Sequence, residues 1–253
     1  QLLLVTQAAS YIRDVSTMQQ RHFINYGSAA QQGNYLIISH QQLTTGPGGS
    51  NPVEDYRAYR SSPAGGSHTA KVYLSDELRD QFGFGIKNNP AGVRNFIRWA
   101  KNNYSQPIKN VLLIGKGVDY INYRIWENDP GIDRLALVPT FGYPASDNLL
   151  GTDQITDVVP SVPVGRISAI SGDEVAAYLQ KVKQYEQQQA FSSPLINDKA
   201  WTKNVVHCVG ASDGGLASQL TNAMNLFNRI ISDTLYGANV TTFSKASSAP
   251  VDL

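Results

Sequence analysis

A chain of 253 residues, 42% hydrophobic and 16% charged, is long enough to bury one large core or two modest ones. Its formal net charge of +1 and sequence pI near 8.0, with no Lys/Arg cluster interleaved with aromatics, speak against a nucleic-acid surface. No apolar run reaches the roughly 18–20 residues of a membrane-spanning helix, and the lone cysteine, Cys208, excludes an internal disulfide and a cysteine-based zinc site. Gln1–Val5 lacks the basic start and long apolar core of a signal peptide, so the chain reads as cytosolic or already trimmed.

Residues 1–33 differ in pattern from the rest of the chain. Leu2–Val5 and His22–Tyr26 are short apolar runs separated by glutamine-rich sequence without a helical stripe, and they read as the last strands of a preceding β-rich domain. From Asn34 the pattern becomes regular. Tyr35–Ile38 is a continuous apolar run, as expected of a strand covered on both faces. Asn51-Pro52 supplies a cap and a first-turn proline for a short helix through Tyr59. Lys71–Leu74 is a second strand. Asn89-Pro90 repeats the cap-and-proline device, and Val93, Phe96, Ile97, Ala100 and Tyr104 share one helical face. Val111–Ile114 is a third strand, closed by Gly115 and Gly117. This alternation predicts an α/β fold with a mainly parallel sheet and helices on both faces.

Leu135–Ile167 then packs short apolar runs, glycine turns and an isolated Ser-Asp-Asn into one long connection. Ser171-Gly172-Asp173-Glu174 reads as a capping box, Ser171 accepting from the Glu174 amide while that carboxylate reaches back. The helix after it shows an apolar stripe of Val175, Tyr178, Leu179, Val182 and Tyr185. Gln187–Lys199 reads as a linker. A second unit opens at Trp201 with a strand Asn204–Val209, a helix capped by Asp213 or Ser212 with the stripe Leu216, Leu220, Met224, Phe227 and Ile231, and a strand Val240–Phe243. Three elements do not close an α/β domain, which leads us to expect a second, truncated α/β subdomain that continues beyond Leu253.

Several patterns hold candidate chemistry. Gly115-Lys116-Gly117 half-matches a dinucleotide fingerprint but lacks the third glycine and follows the third strand, so it reads as a strand-end turn. Gly210-Ala211-Ser212-Asp213-Gly214 is a formal G-x-S-x-G between strand and helix, which would make Ser212 a nucleophile. No histidine follows His207 to complete that triad, and a glycine-flanked helix cap is the simpler reading. His207 and Cys208 are neighbours on one strand and point to opposite faces, so they cannot pair, and Cys208 reads as an inert core residue. His22, His40 and His68 show no ligand spacing. Asp147, Asp153 and Asp157 could supply oxygen ligands to calcium, although loop aspartates more often bond their own backbone. Arg166, directly after Gly165 at a strand end, could instead pair with one of these aspartates as a structural pin. No other cofactor is indicated.

Phe96–Tyr104 with Asn110–Gly115, then Ser146-Asp147-Asn148, Gly151, Asp153 and Val164-Gly165-Arg166-Ile167, and after them an acid-capped helix ending in Lys183–Glu186, together resemble the gingipain-type (C25) cysteine peptidases. The likeness runs from about Asn34 to Phe243 and points to the sortase-like members of the type IX secretion system. It implies a caspase-like α/β domain of two subdomains, exported to the outer membrane or cell surface and acting on protein substrates. The catalytic histidine of the family comes from a Gly-His-Gly loop and the cysteine from the end of a later strand. Neither motif occurs here, and both are expected beyond Leu253. Asp213 is the one residue to which the resemblance gives a catalytic role, orienting the histidine. The acidic residue that selects arginine has no counterpart in Leu216–Phe227, and Lys116 stands where an acid is common. The resemblance thus divides the chain into residues 1–33 of a preceding β-rich domain, 34–199 of the first α/β subdomain with Asp147, Asn148, Gly165 and Arg166 as its structural motif, and 200–253 of an incomplete catalytic subdomain. It makes the chain a fragment of a cysteine-type endopeptidase, inactive alone. The residues by themselves also admit a non-catalytic α/β scaffold or a serine hydrolase using Ser212.

Overall fold

The structure, a computed structural model, describes residues 20–245 apart from positions 22, 128, 192 and 212. The chain divides into two compact units, Gln1–Glu186 and Gln187–Leu253.

The first unit is built on a four-stranded parallel sheet of β1 (Tyr35–Ser39), β2 (Ala70–Leu74), β3 (Asn110–Ile114) and β4 (Val164–Ile167), in the order β2-β1-β3-β4. All five residues of β1 are buried, because this strand has a neighbour on each side and a helical layer on each face. Alternation along the strand assigns the faces. Leu36 and Ile38 join Tyr73, Val111 and Leu113 beneath α2 (Ser75–Phe82) and α3 (Pro90–Asn103), which contribute Leu78, Val93, Phe96, Ile97 and Ala100. Tyr35 and Ile37 join Ala70, Leu112, Ile114 and Ile167 beneath α1 (Pro52–Ser61) and α6 (Gly172–Ala190), which contribute Val53, Tyr56, Val175 and Leu179. Two short helices, α4 (Tyr120–Ile125) and α5 (Pro130–Leu135), lie between β3 and β4 in sequence.

The caps follow the sequence. Asn51 Oδ1 accepts from the Glu54 amide at the start of α1, and Asn89 Oδ1 accepts from the Ala91 amide at the start of α3. Ser171 Oγ accepts from the Glu174 amide at 3.3 Å, but the Glu174 carboxylate returns to the Ile170 amide, one residue earlier than a reciprocal box requires. Asn34 sets the amino edge of the sheet: its side-chain oxygen accepts from the Thr69 amide ahead of β2, and its carbonyl accepts from Lys109 and Asn110 at β3.

Some features depart from the sequence reading. Helix α2 follows β2 without a loop and has no side-chain cap at Leu74, so no start signal announces it. The described part of His22–Tyr26 is not a strand. Ile24 bonds through both its amide and its carbonyl to the Gln81 side chain, and Tyr26 lies in a turn, 2% exposed, with its ring against Tyr73 and Phe96. Leu2–Val5 and His22 lie outside the described residues. On α6 only Val175 and Leu179 of the expected stripe are buried and Val182 packs beside them. Tyr178 and Tyr185 are exposed. Helix α6 also continues to Ala190 through part of the expected linker.

The second unit contains α7 (Ile196–Lys199), β5 (Asn204–Gly210), α8 (Gly214–Ile231) and β6 (Asn239–Lys245), with β5 and β6 paired in parallel from Asn204↔Asn239 to Gly210↔Lys245. Among its described residues only Val209 is a buried hydrophobic, and the stripe of α8 is open, with Leu216 and Phe227 exposed.

The aromatic cluster under α3 is the best-packed part of the first unit. The Phe96 ring is fully buried and lies 4.7, 5.3 and 5.4 Å from the ring centroids of Tyr73, Tyr26 and Phe82. Phe96→Ala is expected to lower the unfolding free energy by about 3–5 kcal/mol, measured by urea denaturation; an unchanged midpoint would contradict this packing.

Candidate functional site

The Leu135–Ile167 connection is organised by one side chain. Arg166 is on β4 and shares a sheet face with Val164, directed toward the α2/α3 layer. Its Nε and Nη2 donate to Asp147 Oδ2 and Oδ1 at 2.7 and 2.8 Å, a bidentate ion pair. Its Nη1 donates to the carbonyls of Gly115 at 2.6 Å and Val138 at 2.8 Å, and Nη2 also reaches the Pro139 carbonyl at 3.2 Å. These bonds occupy all five N–H groups of the guanidinium. Arg166 thereby ties the end of β3, the Val138-Pro139 segment and the short 3-10 turn Asp147–Leu150 to the edge strand. Burial pushes the Asp147 carboxyl upward, but the Arg166 hydrogen bonds and charge outweigh it and hold the group below the usual carboxylate range.

Two glycines make room for this junction. A Cβ on Gly117 would lie 2.8 Å from the Val138 carbonyl and 3.2 Å from Arg166 Nη1, so only glycine lets the guanidinium in. Gly151 has the same constraint from the other side, 2.6 Å from the Val162 carbonyl. Gly165, in contrast, has open space where its side chain would be, and nothing in the structure requires glycine there. Asn148 is exposed and offers its backbone carbonyl to the Gly151 amide.

The far side of the same connection is clamped by α3, which the sequence reading did not assign to it. Arg94 donates to the carbonyls of Leu149, Thr152 and Asp153, and Lys101, two turns along the same face, holds both Asp153 oxygens at 2.8 and 2.7 Å. The spacing of seven between these two cations was the signal available in the sequence. The Lys101 hydrogen bond holds the Asp153 carboxyl below its ordinary value, against a small opposing effect of burial. Asp157 accepts from the Gln154 amide at 2.7 Å. Each carboxylate of Asp147, Asp153 and Asp157 is committed to a different local partner, and no group of three metal-ligating side chains comes together among the described residues.

In the second unit Asp213 is the N-cap of α8, at the carboxyl end of β5; its Oδ1 accepts from the Leu216 amide at 2.8 Å. Ser212 lies outside the described residues. His207 alternates with Cys208 along β5, on the face of Val205 and buried Val209. Its Nδ1 is buried without a hydrogen-bond partner among the described residues. Cys208 is exposed, which corrects its reading as a core residue: the strand buries one face at Val209 and leaves Val206 and Cys208 open on the other.

The sequence model of Peptidase family C25 matches residues 28–251, and the chain belongs to that family. No curated protein matches it. Among solved structures it is similar to dimeric latent PorU from Porphyromonas gingivalis, with a TM-score of 0.46 and 16% identity over 74% of this chain and 20% of that one. It is also similar to the Arg-specific cysteine proteinase gingipain R (RgpB), with a TM-score of 0.48 and 14% identity over 87% and 43%. A complex of the Porphyromonas gingivalis RgpB pro- and mature domains gives 0.45 and 12% over 84% and 42%. The chain therefore spans between a fifth and less than half of these relatives. No described helix is long and apolar enough to cross a membrane.

Because the folded carboxyl of Asp147 titrates below its unfolded value of about 3.9, the stability it contributes is complete above that pH and is lost as pH falls through the lower folded value. Asp147→Asn is expected to lower stability near pH 6 and to flatten the acid limb of the stability profile, measured by denaturation from pH 2 to 7. Arg166→Lys cannot replace the fork and is expected to cost about 3 kcal/mol at pH 7; wild-type stability for the lysine variant would contradict the five-bond arrangement.

Proposed function

We propose that this chain forms the first α/β subdomain and the start of the catalytic subdomain of a cysteine-type endopeptidase. The observation that carries the reading is the match to Peptidase family C25 over residues 28–251. The chain's one cysteine, Cys208, and its neighbour His207 lie on opposite faces, so they do not make a thiol–imidazole pair. In this reading neither residue of β5 is the nucleophile or its base, and the chain alone is expected to be inactive.

In the full protein a histidine-activated thiolate would attack the peptide carbonyl, the C–N bond would break and the amine would depart with the proton held by the imidazole. Water or a second amine would then resolve the thioester. In this reading Asp213, which caps α8 through Oδ1 bound by the Leu216 amide, would also orient that histidine through its second carboxylate oxygen. We read the protein as exported to the outer membrane or cell surface, where it would process protein substrates in a sortase-like manner. In this reading the first unit is a rigid support, its long connection tied down by Arg166, Arg94 and Lys101.

The test uses a peptidyl electrophile directed at thiols, applied to the full-length protein and to this chain. Only the full-length protein is expected to be labelled in competition with substrate, and Cys208→Ala should leave that labelling intact. Asp213→Asn is expected to lower kcat by about 10²-fold while keeping the fold. Substrate-competed labelling of Cys208 would overturn the assignment. A full-length protein with no labelled cysteine would favour a non-catalytic scaffold.

A further inference from the structure

Strand β4 is one edge of the sheet, and its ladder to β3 fixes which of its backbone groups stay free. The Val111 amide donates to the Pro163 carbonyl and the Gly115 amide to the Ile167 carbonyl, so residues 163, 165 and 167 turn their backbone groups toward β3. The N–H and C=O groups of Val164 and Arg166 therefore point away from the sheet. No described residue bonds to them.

Exposed edges are normally guarded by charged side chains, prolines or bulges. The outer side of β4 lacks such a guard. Its one charged residue, Arg166, is turned onto a sheet face with its guanidinium fully occupied. Pro163 faces β3, so its missing N–H weakens the inner ladder and not the outer side. No residue of β2, the other edge, is exposed, whereas Gly165 of β4 is. A Cβ on Gly165 would meet nothing within 4 Å, so no contact inside the chain accounts for the glycine. A strand glycine of this kind lets a second backbone approach closely.

A groove of about 320 Å³ runs beside this edge, between the carboxyl end of β4 and one face of α6. Glu174, Ala177, Tyr178 and Lys181 present that face at helical spacing, and all four are exposed, Tyr178 by 43%. The Glu174 carboxylate accepts from the Ile170 amide at 2.8 Å, whereas Lys181 makes no ion pair among the described residues. The groove thus offers an aromatic ring and a methyl group between a carboxylate already bonded at one end and an unpaired cation at the other.

We propose that β4 accepts an extended peptide as a fifth strand. Its backbone pairs with Val164 and Arg166, an apolar side chain rests on Tyr178 and Ala177, and an acidic side chain two residues away meets Lys181, because alternate residues of a strand share a face. Two N–H and two C=O groups suit a short segment better than the roughly 800 Å² per partner of a stable dimer. The surface belongs to the first unit and does not depend on the peptidase reading.

Fluorescence polarisation of the intact protein with labelled Thr-Val-Thr-Leu-Thr-Glu-Thr, whose Val, Leu and Glu share one face, tests this. Saturable binding is expected. Replacing the peptide's Glu by Lys should weaken it at least about fivefold, and Lys181→Glu should reverse that preference. N-methylation of alternate peptide amides should weaken binding at least about tenfold in one parity and leave it within about twofold in the other. Gly165→Val, which fills the open space over the edge, should also weaken binding, with unfolding curves confirming that both protein variants fold. No saturable binding, equal effects of the two methylation patterns, or indifference to Lys181→Glu would overturn the proposal. A dimer in sedimentation that Gly165→Val dissociates would give the edge to a second copy and would overturn the peptide assignment.

Discussion

The first unit depends on the Arg166 guanidinium being fully satisfied. Edge strand β4 would otherwise hold to the sheet only through β3. One planar cation with five donors meets a carboxylate, Asp147, and three backbone carbonyls at once. Those carbonyls come from Gly115, Val138 and Pro139, which need a donor because no ladder reaches them. Removing the cation would leave a half-buried carboxylate and three acceptors wanting partners together, so the group behaves as a unit.

The junction lies at the carboxyl edge of the sheet. It sits where β3 ends, and Lys116 continues the same seam: its amide donates to Ala169, and its carbonyl accepts from Leu137 and Val138. Gly115, with φ of 144°, passes where any Cβ would be 2.9 Å from Val138. The carboxyl edge of the sheet, where α/β proteins place their ligands, is therefore held rigid by backbone and guanidinium bonds. Arg94 and Lys101 fix the opposite side of the connection from α3. Stiffness of this kind is what a catalytic or binding surface needs from its support.

Much of the first unit was legible because local and global signals agree. Tyr35–Ile38, Lys71–Leu74 and Val111–Ile114 are continuous apolar runs, and a strand covered on both faces has to read that way. Asn51-Pro52 and Asn89-Pro90 mark helix starts through chemistry confined to three residues. What escaped the sequence depends on distant partners. Helix α2 has no cap and no preceding loop. Tyr178 and Tyr185 repeat at helical spacing, but periodicity cannot tell how much of a stripe the rest of the fold covers. Asp147 stands 19 residues from Arg166, and Asp153 and Asp157 carry the same chemistry in the same loop, so only the fold selects the partner. Cys208 reads from the sequence as a core residue once it cannot pair with His207, but β5 buries only the face of Val209.

A double-mutant cycle between Arg166 and Asp147 tests the central claim most directly, using Arg166→Met, Asp147→Asn and the pair, with unfolding free energies measured at pH 7. If the two side chains act as one pin, the single changes should each cost stability and the pair should cost clearly less than their sum, with a coupling energy of about 2 kcal/mol. Additive effects, or single variants with wild-type stability, would contradict the account.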